Sequence, residues 1–188
     1  MYLINQDIFV FKIPELRWSF LCALLLVVAI GLALGSVVHA AKITEDVALQ
    51  VGGFEIPIMV VSPDEGVGPF PVVYHVHGGG WNGGTDTTVP EASVSSGFRF
   101  LSDQLGVVHV GLAYRCKPQG TFSDAVEDIR ASVKWFEARA GDFNADISRV
   151  GFSGGSAGTT LSSLLAQEIS ACKTYVGLYG VYDLLNNK

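Results

Sequence analysis

From Ile43 onward, short β-rich runs alternate with helical segments. Strands and helices alternating at this spacing build βαβ units around a mostly parallel sheet. Residues 47–51 and 55–61 read as two strands joined across Gly52-Gly53, an opening antiparallel pair. Residues 63–71 are a Gly/Pro/acidic turn region, and residues 72–77 form an apolar strand that runs straight into three glycines. Residues 98–105 are expected to be helical, and residues 107–113 form another strongly apolar strand. The best helix covers residues 124–140, where Val126, Ile129, Val133 and Phe136 recur at three- and four-residue spacing on one face. Ser123 is the expected cap, with Asp124, Glu127 and Asp128 favouring the positive end of the helix dipole. A short strand at 149–153, a helix at 157–168 and a last strand at 175–181 complete the pattern. There are no internal repeats and no low-complexity linker. Sheets of this kind place ligands at the carboxyl ends of their strands.

A chain of 188 residues makes one domain the natural count, and 49% hydrophobic against 16% charged residues supports a packed core. The net charge of −6, without a Lys/Arg cluster, gives no electrostatic footprint for nucleic acid. Residues 1–40 stand apart. An apolar run over residues 18–38 follows Lys12 and Arg17 and ends in Val38-His39-Ala40, the pattern of a secretory signal cleaved after Ala40. Left uncleaved, the run would be a membrane anchor. Either way residues 41–188 form the working domain, delivered across a membrane to a secreted or periplasmic location. Cys22 falls in the leader; Cys116 and Cys172 remain, either paired or as buried thiols. Neither belongs to a CxxC or Cys/His cluster, which argues against structural zinc.

Two overlapping Gly-x-Ser-x-Gly frames occur, Gly151-Phe152-Ser153-Gly154-Gly155 and Gly154-Gly155-Ser156-Ala157-Gly158. The motif needs a strand feeding a strained turn, a serine at its tip and a helix behind it. Choosing Ser153 leaves a strand of only residues 150–152 and puts a glycine pair into the first helical turn. Choosing Ser156 gives a longer strand and then a credible helix over 159–168. Its hydroxyl would sit near a helix amino terminus, where free N–H groups stabilise developing negative charge. Upstream, His77-Gly78-Gly79-Gly80-Trp81 follows a strand directly. Acyl transfer needs backbone N–H donors aimed at a tetrahedral oxyanion, and glycines let the main chain approach that closely.

At this point the chain resembles a known family. His77-Gly78-Gly79-Gly80-Trp81, Tyr114-Arg115, residues 122–128, Trp135, Arg149-Val150 and Gly154-Gly155-Ser156-Ala157-Gly158 stand in the order found in hormone-sensitive-lipase-like esterases. They are similar also to the related bacterial acetyl-xylan and feruloyl esterase-like (BD-FAE-like) hydrolases, over residues 55–184. The resemblance implies an α/β-hydrolase fold, a mostly parallel sheet with flanking helices, lacking its last strands. It implies Ser156 as nucleophile, an oxyanion hole from the Gly79, Gly80 and Ala157 amides, and a loop-ordering role for His77. Asp183 matches a strand-end aspartate of the family that is not the triad acid. His75 and His77, two apart, would share one strand face, but no neighbouring carboxylate or third histidine completes a metal site. Trp81 and Asp86 are candidates for shaping the acyl or alcohol pocket.

A serine hydrolase also needs a general base and a carboxylate to orient it, in the chain order serine, acid, histidine. Downstream of Ser156 the only carboxylates are Glu168 and Asp183, and there is no histidine. The expectation is therefore a carboxylesterase-type hydrolase without its triad acid and base, a fragment of a longer chain. Competing readings are an inert secreted binding domain on the same scaffold, and an unusual base drawn from His75, His77 or His109. A peptidase or amidase of the same fold is a further alternative. No metal or organic cofactor is implied. The expected substrate is a small ester or an acylated carbohydrate, with membrane contact only through an uncleaved leader.

Overall fold

The computed structural model describes residues 41–82 and 97–180, the side chains of 97–100 excepted. The leader, Cys22, Asp86 and Asp183 lie outside the described residues.

Six strands form one sheet: β1 (Lys42–Val51), β2 (Phe54–Ser62), β3 (Phe70–Val76), β4 (Val108–Leu112), β5 (Ala145–Gly155) and β6 (Cys172–Leu178), in the order β1-β2-β4-β3-β5-β6. β1 and β2 make the expected hairpin, its turn formed by Gly52 and Gly53 at φ 56° and 82°, as a tight hairpin turn requires. β2 meets β4 antiparallel, and β4, β3, β5 and β6 run parallel. The helices are α1 (Gly97–Leu105), α2 (Phe122–Glu137) and α3 (Ala157–Glu168), with a 3-10 turn at Ala140–Phe143. Among the described residues no helix is long and apolar enough to cross a membrane.

Alternation along β3 sends Val72, Tyr74 and Val76 into the core, where they are fully buried. They pack with Ile129, Val133 and Phe136 of α2 and with Leu161 and Leu165 of α3 in one apolar cluster. Tyr74 meets Phe136 edge-on at 5.7 Å and Phe152 at 5.1 Å. On the opposite face, Ser102 of α1 donates to the Val61 carbonyl at 3.2 Å and meets His109 Nδ1 at 3.3 Å.

Several boundaries differ from expectation. α2 begins two residues before residue 124, and its cap is Thr121 instead of Ser123. Thr121 Oγ1 accepts from the Asp124 N–H at 3.2 Å, and the Thr121 N–H donates to Asp124 Oδ2 at 2.8 Å. Two orphan donors are thus satisfied reciprocally, which Ser123 cannot do from inside the first turn. α2 stops at Glu137, short of residue 140, where the chain tightens into the 3-10 turn. β5 starts at Ala145 because Ala145 and Asp146 pair with Phe70 and Pro71 before the apolar stretch begins. β6 covers Cys172–Leu178 instead of 175–181, since it opens opposite Val150. No disulfide joins the two cysteines: Cys116 is buried and Cys172 half-buried.

From β3 the chain passes to β4 on one side and later to β5 on the other. The carboxyl ends of β3 and β5 therefore flank a reversal in strand order, where open α/β sheets hold their ligands.

Candidate active site

β5 keeps its pairing with β3 and β6 to the end, Gly154 opposite Val76 and Gly155 opposite Leu178. The next residue, Ser156, sits at φ 52° and ψ −121°, and α3 starts behind it. A positive φ at a residue with a β-carbon costs about 1–3 kcal/mol and persists only where its surroundings enforce it. Here the Ser156 N–H donates to the Leu178 carbonyl at 2.9 Å, and its carbonyl accepts from the Thr159 N–H at 3.0 Å. Thr159 Oγ1 donates to the Gly154 carbonyl at 2.8 Å, tying the helix to the strand.

The glycines around Ser156 answer to close approach. A β-carbon at Gly154 would overlap the Gly158 carbonyl and Ser162 Oγ; one at Gly158 would overlap the carbonyl oxygens of Val76 and His77. The helix amino terminus thus lies directly on the end of β3. Ser153, the serine of the other frame, is inside β5 opposite His75, and its Oγ lies 2.9 Å from His75 Nδ1. It has a histidine partner but no turn, whereas Ser156 has the turn.

β3 ends at Val76, and the glycine loop follows with Gly79 at φ 129°, Gly80 at φ 62° and Trp81 at φ 56°. A β-carbon at Gly78 would lie 2.9 Å from the Gly155 carbonyl oxygen and 3.1 Å from Ser156 Cβ, so the loop rests against the serine turn. Gly78 makes the loop's contact with the serine turn, and Ala157 follows Ser156 as the first residue of α3. The loop is held at its start by the Tyr114 hydroxyl, which donates to the His77 carbonyl at 3.0 Å. The His77 ring stacks on Tyr114 at 4.5 Å, and its Nδ1 lies 2.6 Å from the Gly78 carbonyl. A carbonyl only accepts, so Nδ1 carries the proton. At the loop's end the Lys117 N–H donates to the Trp81 carbonyl at 2.8 Å.

The His75/His77 pair does not act as one unit. Because β3 ends at Val76, His75 turns to Ser153 while His77 leaves the strand and stacks on Tyr114. Burial, with a smaller push from His77, lowers the His75 pKa to about 4. Burial and then His75 lower that of His109 to about 4. Burial also lowers the His77 pKa, partly offset by the bond to Gly78. All three rings are thus neutral near pH 7, and each has its own partner in Ser153, Gly78 or Ser102. Among the described residues no group of three His, Cys, Asp or Glu side chains could hold a metal ion.

Asp128 has a role the sequence pattern did not reveal. It lies beyond the first turn of α2 and is fully buried. Its Oδ2 accepts from the Arg115 N–H at 2.9 Å and from Arg115 Nε at 2.8 Å, and its Oδ1 accepts from Nη2 at 2.8 Å. These bonds raise the Arg115 pKa further. The available signal was Tyr114-Arg115 at the end of an apolar strand ahead of a helix with an inward-facing aspartate. One residue beyond Gly80, Trp81 forms a wall of a cavity of about 180 Å³ with Arg115, Lys117, Gly120, Thr121, Phe122 and Ala125. Trp81 meets Phe122 edge-on at 6.0 Å there.

Comparison with known proteins adds to this geometry. The family model described as BD-FAE matches residues 58–184. The carboxylesterase NlhH of Mycobacterium tuberculosis is 34% identical over 114 residues, 60% of this chain and 34% of the relative. An acetyl esterase of Salmonella schwarzengrund is 27% identical over 127 residues, 62% of this chain and 38% of the relative. The chain thus spans about a third of the length of these curated relatives. Among solved structures, a bacterial heroin esterase superimposes with TM-score 0.59 at 28% identity, covering 77% of this chain and 45% of that one. EstE1, a thermophilic carboxylesterase from a metagenomic library, gives TM-score 0.66 at 25% identity, over 90% of this chain and 57% of that one.

Proposed function

The chain belongs to the BD-FAE family and has the α/β-hydrolase fold of esterases, and from that premise we propose that it serves carboxylic ester hydrolysis through an acyl-Ser156 intermediate. One observation carries the proposal: Ser156 is held at φ 52° between β5 and α3, with the glycine loop packed against its β-carbon. Ser156 Oγ attacks the ester carbonyl carbon and gives its proton to a base. The carbonyl oxygen becomes an oxyanion that accepts from the Gly79, Gly80 and Ala157 N–H groups. Collapse of this intermediate expels the alcohol, which takes the proton, and water then repeats the sequence on the acyl-enzyme.

The base and its orienting carboxylate are proposed to come from outside these 188 residues. In support, no histidine follows His109 in the sequence, and the three described histidine rings turn to partners other than Ser156. The substrate class proposed is a small acyl ester or an acetyl or feruloyl group on a polysaccharide, reached after export directed by residues 1–40.

A Ser156→Cys variant tests the site without a dedicated base, because a thiol at a helix amino terminus ionises on its own. With p-nitrophenyl acetate it should release one p-nitrophenolate per chain above the wild-type background, and Ser153→Cys should not. A Ser156→Cys protein whose new thiol alkylates with iodoacetamide, but acylates no faster than cysteine in solution, would remove the oxyanion hole from the proposal. Robust turnover by the unaltered chain, lost in Ser156→Ala, would place the base within these residues.

A further inference from the structure

We infer that residues 114–117 act as a splint for the oxyanion loop, with Tyr114 and Asp128 as positioning residues for its N–H donors; this rests on the proposed esterase function. The loop contains two consecutive glycines at positive φ, Gly79 and Gly80. Glycine is the residue with most backbone freedom to lose, so amides carried by such a pair need anchors on both sides. Both anchors come from one short segment. The Tyr114 hydroxyl holds the His77 carbonyl at 3.0 Å, and the Lys117 N–H holds the Trp81 carbonyl at 2.8 Å.

The segment is itself fixed between those two points. Arg115 contributes its main-chain N–H and two guanidinium N–H groups to the buried Asp128 carboxylate. Asp128 stands on α2, whose Ile129, Val133 and Phe136 are locked in the core. A rigid path therefore runs from the core helix through Asp128 and Arg115 to both ends of the glycine loop. The Tyr114 side chain is fully buried, and burial raises its pKa, keeping the phenol protonated as a donor. The same His77 carbonyl faces Gly158, the second residue of α3. Its position thus also sets how closely the serine turn and the loop approach each other.

Tyr114→Phe removes the hydroxyl and keeps the ring. Amide hydrogen exchange of the full chain, resolved by residue, should show Asn82, whose N–H donates to the Gly79 carbonyl at 3.2 Å, exchanging about tenfold faster, with Val72, Tyr74, Val150 and Phe152 unchanged. Asp128→Asn should add Lys117 to the accelerated set. Val133→Ala, remote from the loop on α2, controls for general loosening and should leave the loop-to-strand ratio as in wild type. In the Ser156→Cys background, Tyr114→Phe should lower the ratio of p-nitrophenyl acetate acylation to iodoacetamide alkylation about tenfold. A purely structural tyrosine would leave that ratio alone. Loop exchange unchanged in Tyr114→Phe, or loop and strand amides accelerating together, overturns the splint. If Ser156→Cys fails to acylate, the oxyanion hole drops out of the esterase proposal and the exchange measurement still decides this one.

Discussion

Replacing Gly158 with alanine sets two effects of opposite sign against each other. Helix propensity alone makes the change stabilising by up to about 1 kcal/mol, since Gly158 belongs to the first turn of α3. Sterics argue the reverse. The added β-carbon would overlap the Val76 and His77 carbonyl oxygens and lie 2.7 Å from the Val76 carbonyl carbon. Carbon atoms prefer roughly 3.5–4.0 Å, so the helix amino terminus has to retreat by about 1 Å. Every atom met is backbone, and no flexible side chain can swing aside. Overpacking costs about 1–3 kcal/mol, and rigid neighbours put this case at the upper end, leaving a net loss of about 2 kcal/mol after the propensity gain. For a domain of this size that lowers Tm by roughly 4–8 °C. Urea unfolding followed by far-ultraviolet circular dichroism measures it, with Gly141→Ala as the internal control. A β-carbon at Gly141 meets nothing within 4 Å, so that variant should be neutral or more stable by about 0.4–1 kcal/mol. A Gly158→Ala protein with a midpoint at or above wild type, at unchanged m, would refute the close approach of α3 to β3.

Three further outcomes are expected. Asp128→Asn removes the charge facing Arg115 at a fully buried site and should cost about 3 kcal/mol in urea unfolding; a loss below roughly 1 kcal/mol would show the pair to be replaceable. Thr121→Ala should cost about 1 kcal/mol and Ser123→Ala close to nothing, because only Thr121 closes the capping box; the reverse order would restore Ser123 as the cap. His109 is lowered to about 4 from 6.5, so the unfolded chain binds more protons between those values and stability must fall as pH drops through that window. The loss is on the order of 3 kcal/mol for this nearly fully buried ring, with His75 adding in the same direction. Above about pH 7 the profile should be flat with respect to these groups. His109→Gln should flatten the urea midpoint against pH, and an unchanged slope would mean that His109 titrates normally.

The residues with strict local requirements were legible in advance. Three- and four-residue spacing put Ile129, Val133 and Phe136 on one face of a helix, and that face is buried in the core. The choice between Ser153 and Ser156 was decided by what a glycine pair does to a helix, and Ser156 is where the positive φ falls. What stayed hidden depends on partners distant in sequence. Thr121 became the cap because Asp124 could reach back to it, which Ser123 equalled in composition but not in geometry. Asp128 reads as one more acidic residue near a helix start until Arg115 arrives from the end of β4. The extent of β5 depended on pairing with Phe70 and Pro71, which local apolarity does not signal. His77 was expected on the strand face of His75, but β3 ends one residue earlier, at Val76.

The bond from the Ser156 N–H to the Leu178 carbonyl has a consequence for how the molecule is made. A growing chain that has emerged only as far as residue 144 holds the whole glycine loop but has β3 bare along the edge that β5 will occupy. Such an edge is a template for wrong pairing during synthesis. Adding β5 and α3 covers it, yet the serine turn still lacks its acceptor until β6 is in register. The strained serine therefore locks only once β6 has joined the sheet, and a chain stalled before residue 178 has the sequence motif without the conformation.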